Sequence, residues 1–245
     1  MSTGERRVCL LTGAGGTLGN AFCQAYGAQY DIVAVCRHRA PAVASQDEWF
    51  VDPLEPGADV PENDSRVFVV HSDLEKDGQV ERVVDIALAR YGRVDLLVNN
   101  AAYSLWHPQG LVDGDVALDS IERHFAVNVG IPLRFATRLA QRFWLTRDLE
   151  NRAHNRNIVN VSSVAATRVY PGGQAVYGAS KAALNQLTRH LAAEFGGFGV
   201  RANALAPNSF PSIVSTDSVA KAIARLDSDT VSGKVLVVDA SQPSA

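Results

Sequence analysis

Tyr177 and Lys181 stand four residues apart in the run Tyr177-Gly178-Ala179-Ser180-Lys181. On a helix, residues i and i+4 share a face, so a phenol and an ammonium can point into one site. A free phenol titrates near pH ~10, too high for ready proton exchange at neutrality, and a nearby ammonium favours the phenolate. Lowering that value by ~2–3 units corresponds to ~3–4 kcal/mol. The chemistry such a pair offers is proton transfer to and from oxygen. Alone, a Tyr-xxx-Lys pair also reads as an ordinary surface helix pair. Here it has company. Asn157-Ile158-Val159-Asn160-Val161-Ser162-Ser163 ends an apolar run, placing Ser163 fourteen residues before Tyr177. Asn99-Asn100-Ala101-Ala102 ends another. Asn128 sits amid Phe125, Val127 and Val129, where a buried amide requires hydrogen-bond partners. That requirement is met equally by a purely structural asparagine.

A second signal lies at the N-terminal end. After Val8-Cys9-Leu10-Leu11 comes Thr12-Gly13-Ala14-Gly15-Gly16-Thr17-Leu18-Gly19. A strand, a glycine-dense turn and a helix suit a dinucleotide pyrophosphate. The glycines allow close backbone approach, and the helix N-terminus offers free N–H groups and partial positive charge. Gly13, Gly16, Thr17 and Leu18 are the expected contacts; a tight turn without ligand is the plainer reading. At the end of the second strand, where an acid commonly binds a ribose 2′-hydroxyl, the chain has Val35-Cys36-Arg37-His38-Arg39. A guanidinium suits a 2′-phosphate by charge and donor geometry, so Arg37 points to NADP(H), with His38 and Arg39 as additional donors. The competing reading is a solvated arginine at a strand end. Cys36 is expected to be inert packing.

Alternating elements must carry these residues. Apolar strand-length runs fall at Val8–Leu11, Asp31–Cys36, Val67–His71, Val94–Asn99, Ile158–Val161, Val200–Ala204 and Val235–Asp239. Helical patterns fall at Thr17–Tyr26, Gln79–Tyr91, Val116–Leu145, Gln174–Phe195 and Ser218–Arg225. In Gln79–Tyr91, Val80, Val83, Val84, Ala87, Leu88 and Tyr91 share one face. Strands this apolar are buried on both sides, as in parallel sheets, and strand–helix alternation predicts a doubly wound α/β fold. Arg39–Asp64, with four prolines, reads as loop, and Arg147–Asn157 as a polar exposed connection.

The 245 residues are expected to form one domain. With 23 Lys+Arg against 26 Asp+Glu there is no basic footprint, which argues against a nucleic-acid partner. No apolar run reaches the ~18–20 residues of a membrane span, and the opening stretch is too weakly apolar for a secretion signal. Cys9, Cys23 and Cys36, odd in number and without metal spacing, read as reduced thiols of a cytoplasmic protein with no metal site.

Taken together, the glycine turn, Asp73 after the third strand, Asn99–Ala102, Asn128, Ser163, Tyr177–Lys181 and Arg201–Pro207 resemble the short-chain dehydrogenase/reductase family, in order and over nearly the whole chain. The resemblance implies a Rossmann-type sheet of about seven strands and hydride transfer with a nicotinamide cofactor. By matched position, it makes Tyr177 the acid/base. Lys181 would bind the nicotinamide ribose and lower the Tyr177 pKa, Ser163 would bind the substrate oxygen, and Asn128 would hold a relay water. Asp73 and Leu74 would flank the adenine; Asn100, Ala101 and Ala102 would line the cofactor, followed by Pro207 and Asn208. An arginine at position 37 is similar to that of NADP-preferring members.

Departures from the pattern are informative. Gly13, Gly16 and Gly19 look like the family's extended-type turn. Ser163 lies one residue farther from Tyr177 than is usual, which keeps Ser162 as an alternative. Asn208 replaces the usual glycine. The substrate lid, ordinarily long, is reduced to Asn208–Thr216. The expected function is NADPH-dependent reduction of a ketone or aldehyde, with imines and enones as further candidates and a bulky or carrier-bound substrate favoured by the short lid. A non-catalytic NADP-binding sensor or scaffold, and an epimerase or dehydratase retaining its cofactor, are the alternatives. Trp106, His107, Tyr170 and Phe210 are candidate pocket residues, each also readable as packing. The two long helices, Val116–Leu145 and Gln174–Phe195, are expected to build a homodimer or homotetramer; Phe125, Ile131, Leu133, Phe135, Leu139, Phe143 and Trp144 offer more apolar surface than one core stripe needs.

Overall fold

In the computed structural model, which describes residues 6–45, 66–112, 114–170 and 173–240, seven strands form one sheet in the order β3-β2-β1-β4-β5-β6-β7, every pair parallel. The strands are β1 (Arg7–Thr12), β2 (Tyr30–Cys36), β3 (Val67–His71), β4 (Leu96–Asn99), β5 (Asn157–Val161), β6 (Arg201–Pro207) and β7 (Val235–Val238). The doubly wound α/β expectation is met. Strand order reverses between β1 and β4, and the crevice at such a switch point is where open α/β sheets bind ligands.

Alternate strand residues face opposite sides, which is why the strands are apolar throughout. Leu10, Val33 and Val35 enter one core with Val80, Val83 and Val84 of α2 (Gln79–Tyr91). Cys9, Leu11, Ile32 and Ala34 enter the other, against α1 (Thr17–Tyr26) and α8 (Thr216–Ser228). Gly78 and Gly92, both at positive φ, start and stop α2.

The long pattern from Val116 is helical but broken. It comprises α3 (Val116–Asp119), α4 (Ile121–Phe125), a π-turn (Ala126–Gly130), α5 (Ile131–Leu139) and a second π-turn (Ala140–Trp144). Most of the apolar surplus expected to be surface is core: Ile131, Phe135, Leu139, Phe143 and Trp144 are buried, while Phe125 and Leu133 stay exposed. The segment Arg147–Asn157 is a correction. It holds α6 (Asp148–Ala153), and Arg156 is fully buried against Asp95, Asn151 and Glu150. Its polarity serves an internal network whose partners are distant in sequence. The loop expected at Arg39–Asp64 lies, from residue 46 onward, outside the described residues. The last long helix is α7 (Ala175–Phe195). Among the described residues, no helix is long and apolar enough to cross a membrane.

Candidate active site

The glycine turn joins β1 to α1 at the switch point. Gly13 sits at φ +67°, and a Cβ there would lie 2.9 Å from the Ala101 Cα; one on Gly19 would lie 2.5 Å from the Gly13 carbonyl oxygen. Glycine is therefore required at both positions by close backbone approach. The turn is clamped from behind: Asn100 Nδ2 donates to the carbonyls of Thr12 and Gly13, and Thr12 Oγ1 accepts from the N–H groups of Asn100 and Ala101, all at 3.0 Å. Gly16 caps α1 without a side-chain acceptor, and the first turn carries no acid. The leading N–H groups are thus open to an outside anion.

In front of the turn lies a cleft of about 440 Å³. It is bounded by Gly13, Gly16, Thr17, Leu18, Cys36, Arg37, Asp73, Leu74, Asn100, Ala101 and Ala102, all residues the sequence led one to expect there apart from Cys36, taken for inert packing. Cys36 is buried 3.7 Å from His71 Nδ1, and burial pushes its thiol up. Tyr103, Glu75, Arg123, Val127, Ile131 and Phe210 complete the walls. Glu75 and Arg123 were not legible in advance; forty-eight residues separate them, and only the fold joins them at 2.8 Å. Five expected cofactor contacts do not bound this cleft: His38, Tyr177, Lys181, Pro207 and Asn208. His38 is exposed. Asn208 Nδ2 donates to Asp239 and its Oδ1 accepts from the Ser209 N–H, so its side chain is occupied by the C-terminal end of the sheet. Arg39 donates to the Gly15 carbonyl at 2.8 Å and braces the turn.

Ser163 adjoins the Tyr177 phenol and favours its phenolate. Ser163 also caps the short helical turn Val164–Ala166 by accepting from the Ala165 N–H. Ser162 is turned the other way, buried and donating to the Lys181 carbonyl. The extra residue between the serines and Tyr177 therefore leaves Ser163, rather than Ser162, beside the phenol. Lys181 is buried; its Nζ donates to the Val161 carbonyl at 2.8 Å and lies 5.7 Å from the centre of the Tyr177 ring. Burial lowers its pKa to about 8. The expected depression of the phenol is not found: burial raises the Tyr177 pKa, and Ser163 opposes this only in part. The ammonium's hydrogen bond goes to the backbone at Val161, and burial sets the direction at the phenol.

Asn128 lies on the first π-turn and is fully buried. Its Oδ1 accepts from the Tyr103 N–H, and its Nδ2 donates to the Tyr103 carbonyl and to Ser180 Oγ. Both amide donors are consumed in tying the β4 exit to α7, which leaves Asn128 an acceptor rather than a donor for the expected water. His124, which sequence reasoning passed over, stands 6.5 Å from Tyr177 ring to ring, with Nδ1 on the Ser120 carbonyl and Nε2 accepting from the Leu105 N–H. Burial lowers its pKa and favours the neutral ring. His107 is buried beside it, its backbone N–H donating to the Gly173 carbonyl, while Trp106 is largely exposed and Tyr170 partly so. The lid residues stay irregular: the Ile213 and Val214 N–H groups return to the Ser209 carbonyl, and Ser215 caps α8 through the Ser218 N–H.

Residues 7–225 match the family model described as short chain dehydrogenase. The protein FixR of Bradyrhizobium diazoefficiens is 30% identical over 234 residues, covering 91% of this chain and 74% of that protein. The short chain dehydrogenase/reductase dpchG of Colletotrichum higginsianum is 32% identical over 200 residues, 81% of this chain and 67% of its own. A crystal structure of a short chain dehydrogenase from Mycobacterium smegmatis superposes with a TM-score of 0.77 at 27% identity, covering 98% of this chain and 94% of that one.

Proposed function

The chain belongs to the short-chain dehydrogenase family, whose members are nicotinamide-dependent oxidoreductases, and from that premise we propose that it is an NADP(H)-dependent enzyme interconverting a carbonyl and an alcohol. We take residues 1–245 as one catalytic unit with a shortened lid at 208–216, acting in the cytoplasm. The observation that carries the catalytic reading is that Ser163 adjoins the Tyr177 phenol while the Lys181 ammonium, one helical turn on, lies 5.7 Å from the centre of its ring.

The open N-terminus of α1, the glycine cradle and Arg37 at the end of β2 fit a dinucleotide carrying a 2′-phosphate. When bound, the nicotinamide supplies or accepts the hydride. The remaining work falls to the chain. Ser163 Oγ holds the substrate oxygen, and Tyr177 Oη, kept neutral by burial, donates its proton to that oxygen as negative charge develops. The Lys181 ammonium, still largely charged below its pKa of about 8, favours the phenolate left behind. Asn128 holds Tyr103 and Ser180 in place.

Stoichiometric NADPH consumption against a panel of ketones and aldehydes tests the reading, with Tyr177→Phe as control. The wild type should turn over and the variant should not, while cofactor affinity stays near normal. Binding without turnover on any carbonyl would favour a sensor or scaffold. We also propose that copies pair through the face bearing Leu118, Ile121, Phe125 and Leu133, all exposed. Light scattering at micromolar concentration should give a dimer or tetramer; a monomer contradicts it.

A further inference from the structure

At one end of the cleft a single carboxylate lies between two guanidiniums. Arg123 Nε and Nη2 donate to Glu75 Oε2 and Oε1, both at 2.8 Å. Arg37 Nη1 donates to Glu75 Oε1 at 3.3 Å. All three side chains bound the same cleft, and the Arg123 guanidinium rests on the Tyr103 ring, 4.3 Å from its centre. The two pairings are unequal. Arg123 makes a two-pronged contact of the strong kind, whereas Arg37 makes one long contact. That contact uses one of the five donors a guanidinium carries.

We propose that Arg123 is a positioning residue for recognition of a 2′-phosphate, acting through Glu75 on Arg37. This rests on the NADP(H) reading above. By occupying both carboxylate oxygens, Arg123 keeps Glu75 from closing bidentately on Arg37. It also offsets the negative charge that Glu75 would turn toward a phosphate dianion. The three groups then carry a surplus of one positive charge, and it resides on Arg37, whose remaining donors are available at the end of β2. Remove Arg123, and Glu75 and Arg37 neutralise one another. Exposed ion pairs contribute little to stability; what this cluster decides is where the Arg37 charge is spent. The three residues come from the end of β2, the β3–α2 connection and α4, so only the folded sheet assembles them.

The test is direct binding by titration calorimetry of NADP and of NAD to the whole chain, for the wild type, Arg37→Ala, Arg123→Met, Glu75→Gln and the double variant Arg123→Met/Glu75→Gln. Arg123→Met should weaken NADP about tenfold and NAD less than about twofold, the scale of one charge-assisted hydrogen bond. The double variant should return NADP affinity to within about threefold of wild type, although Arg123 is still missing. A role of Arg123 in merely supporting the wall would not be rescued that way. Equal weakening of both cofactors, an unchanged ratio, or a double variant as weak as Arg123→Met overturns the proposal while leaving the NADP(H) reading intact. A wild type that prefers NAD, with Arg37→Ala affecting neither cofactor selectively, removes that reading and this proposal with it.

Discussion

The Lys181 ammonium is bonded to the Val161 carbonyl at the end of β5, not to the Tyr177 phenol one turn before it. A buried ammonium is costly, and its pKa falls from 10.5 to about 8. Between those values the unfolded chain holds a proton that the folded chain has lost, so the contribution of this group to stability rises with pH. The full penalty of roughly 3 kcal/mol applies below pH ~8 and disappears as pH approaches ~10.5. Chemical denaturation of the wild type and of Lys181→Met from pH 7 to 10 should show a constant difference up to about pH 8 and the wild type gaining on the variant above it. A difference constant over the whole range would mean that Lys181 titrates normally in the folded state.

The same depression predicts the alkaline limb of catalysis. Once Lys181 loses its charge, only Ser163 still favours the Tyr177 phenolate, so carbonyl reduction should decline above pH ~8. The rate profile measured at saturating cofactor checks this; a profile flat to pH 10 contradicts the role given to Lys181.

Ser162 and Ser163 are adjacent but do different things. Ser163→Ala removes the partner of the Tyr177 phenol and should lower kcat by about 10²-fold, with folding little changed. Ser162→Ala removes a hydrogen bond to the Lys181 carbonyl and should cost ~1 kcal/mol of stability with turnover largely kept. Steady-state kinetics and thermal melts of the two variants separate the roles. The opposite pattern would hand the catalytic part to Ser162.

Those serines also show what could be read from the chain before folding. Apolar runs, glycine turns and the Tyr177–Lys181 spacing are local signals, and they gave the sheet, the switch point and the residues that bound the cleft. What escaped was set by contacts between distant segments. Arg156 lies in a stretch that reads as solvent-exposed, yet it is buried because Asp95, sixty-one residues away, meets it. Glu75 and Arg123 look like ordinary helix-surface charges until α4 packs beside the β3–α2 connection. The direction of the Tyr177 shift depended on burial against the influence of Ser163, a balance no spacing encodes. Asn128 was recognised as an amide needing partners, but which partners it takes, and hence what it can still bind, followed only from the position of Tyr103.

Asn128→Ala provides a check on that reassignment. The substitution strips the Tyr103 N–H and carbonyl of their partner and leaves Ser180 short of a donor. Buried groups left unpaired cost ~1–3 kcal/mol each, so a loss of about 2–4 kcal/mol is expected. Because Tyr103 bounds the cleft, cofactor affinity should fall as well. A variant as stable as wild type that fails only in proton transfer would restore a relay role to Asn128.

The lid leads to the last expectation, about substrate size. Between β6 and α8 only a few residues remain, folded back on the Ser209 carbonyl and closed off by the Ser215 cap. A covering helical pair cannot be built from so short a segment. Its Phe210 side chain bounds the cofactor cleft, leaving the exposed Trp106 and Ile213 and the part-exposed Tyr170 as apolar surface for the far portion of a substrate. A small ketone would find few contacts to hold it near Tyr177 and would leave water in the cleft, both of which raise the barrier. A polycyclic or carrier-linked ketone would supply its own cover. We therefore expect kcat/KM to be at least about tenfold higher for the large substrate, a difference of ~1.4 kcal/mol at the transition state. Equal efficiency for large and small ketones would mean that some other segment closes the site, and the oxidoreductase reading, which rests on Tyr177, Ser163 and Lys181, would stand unchanged.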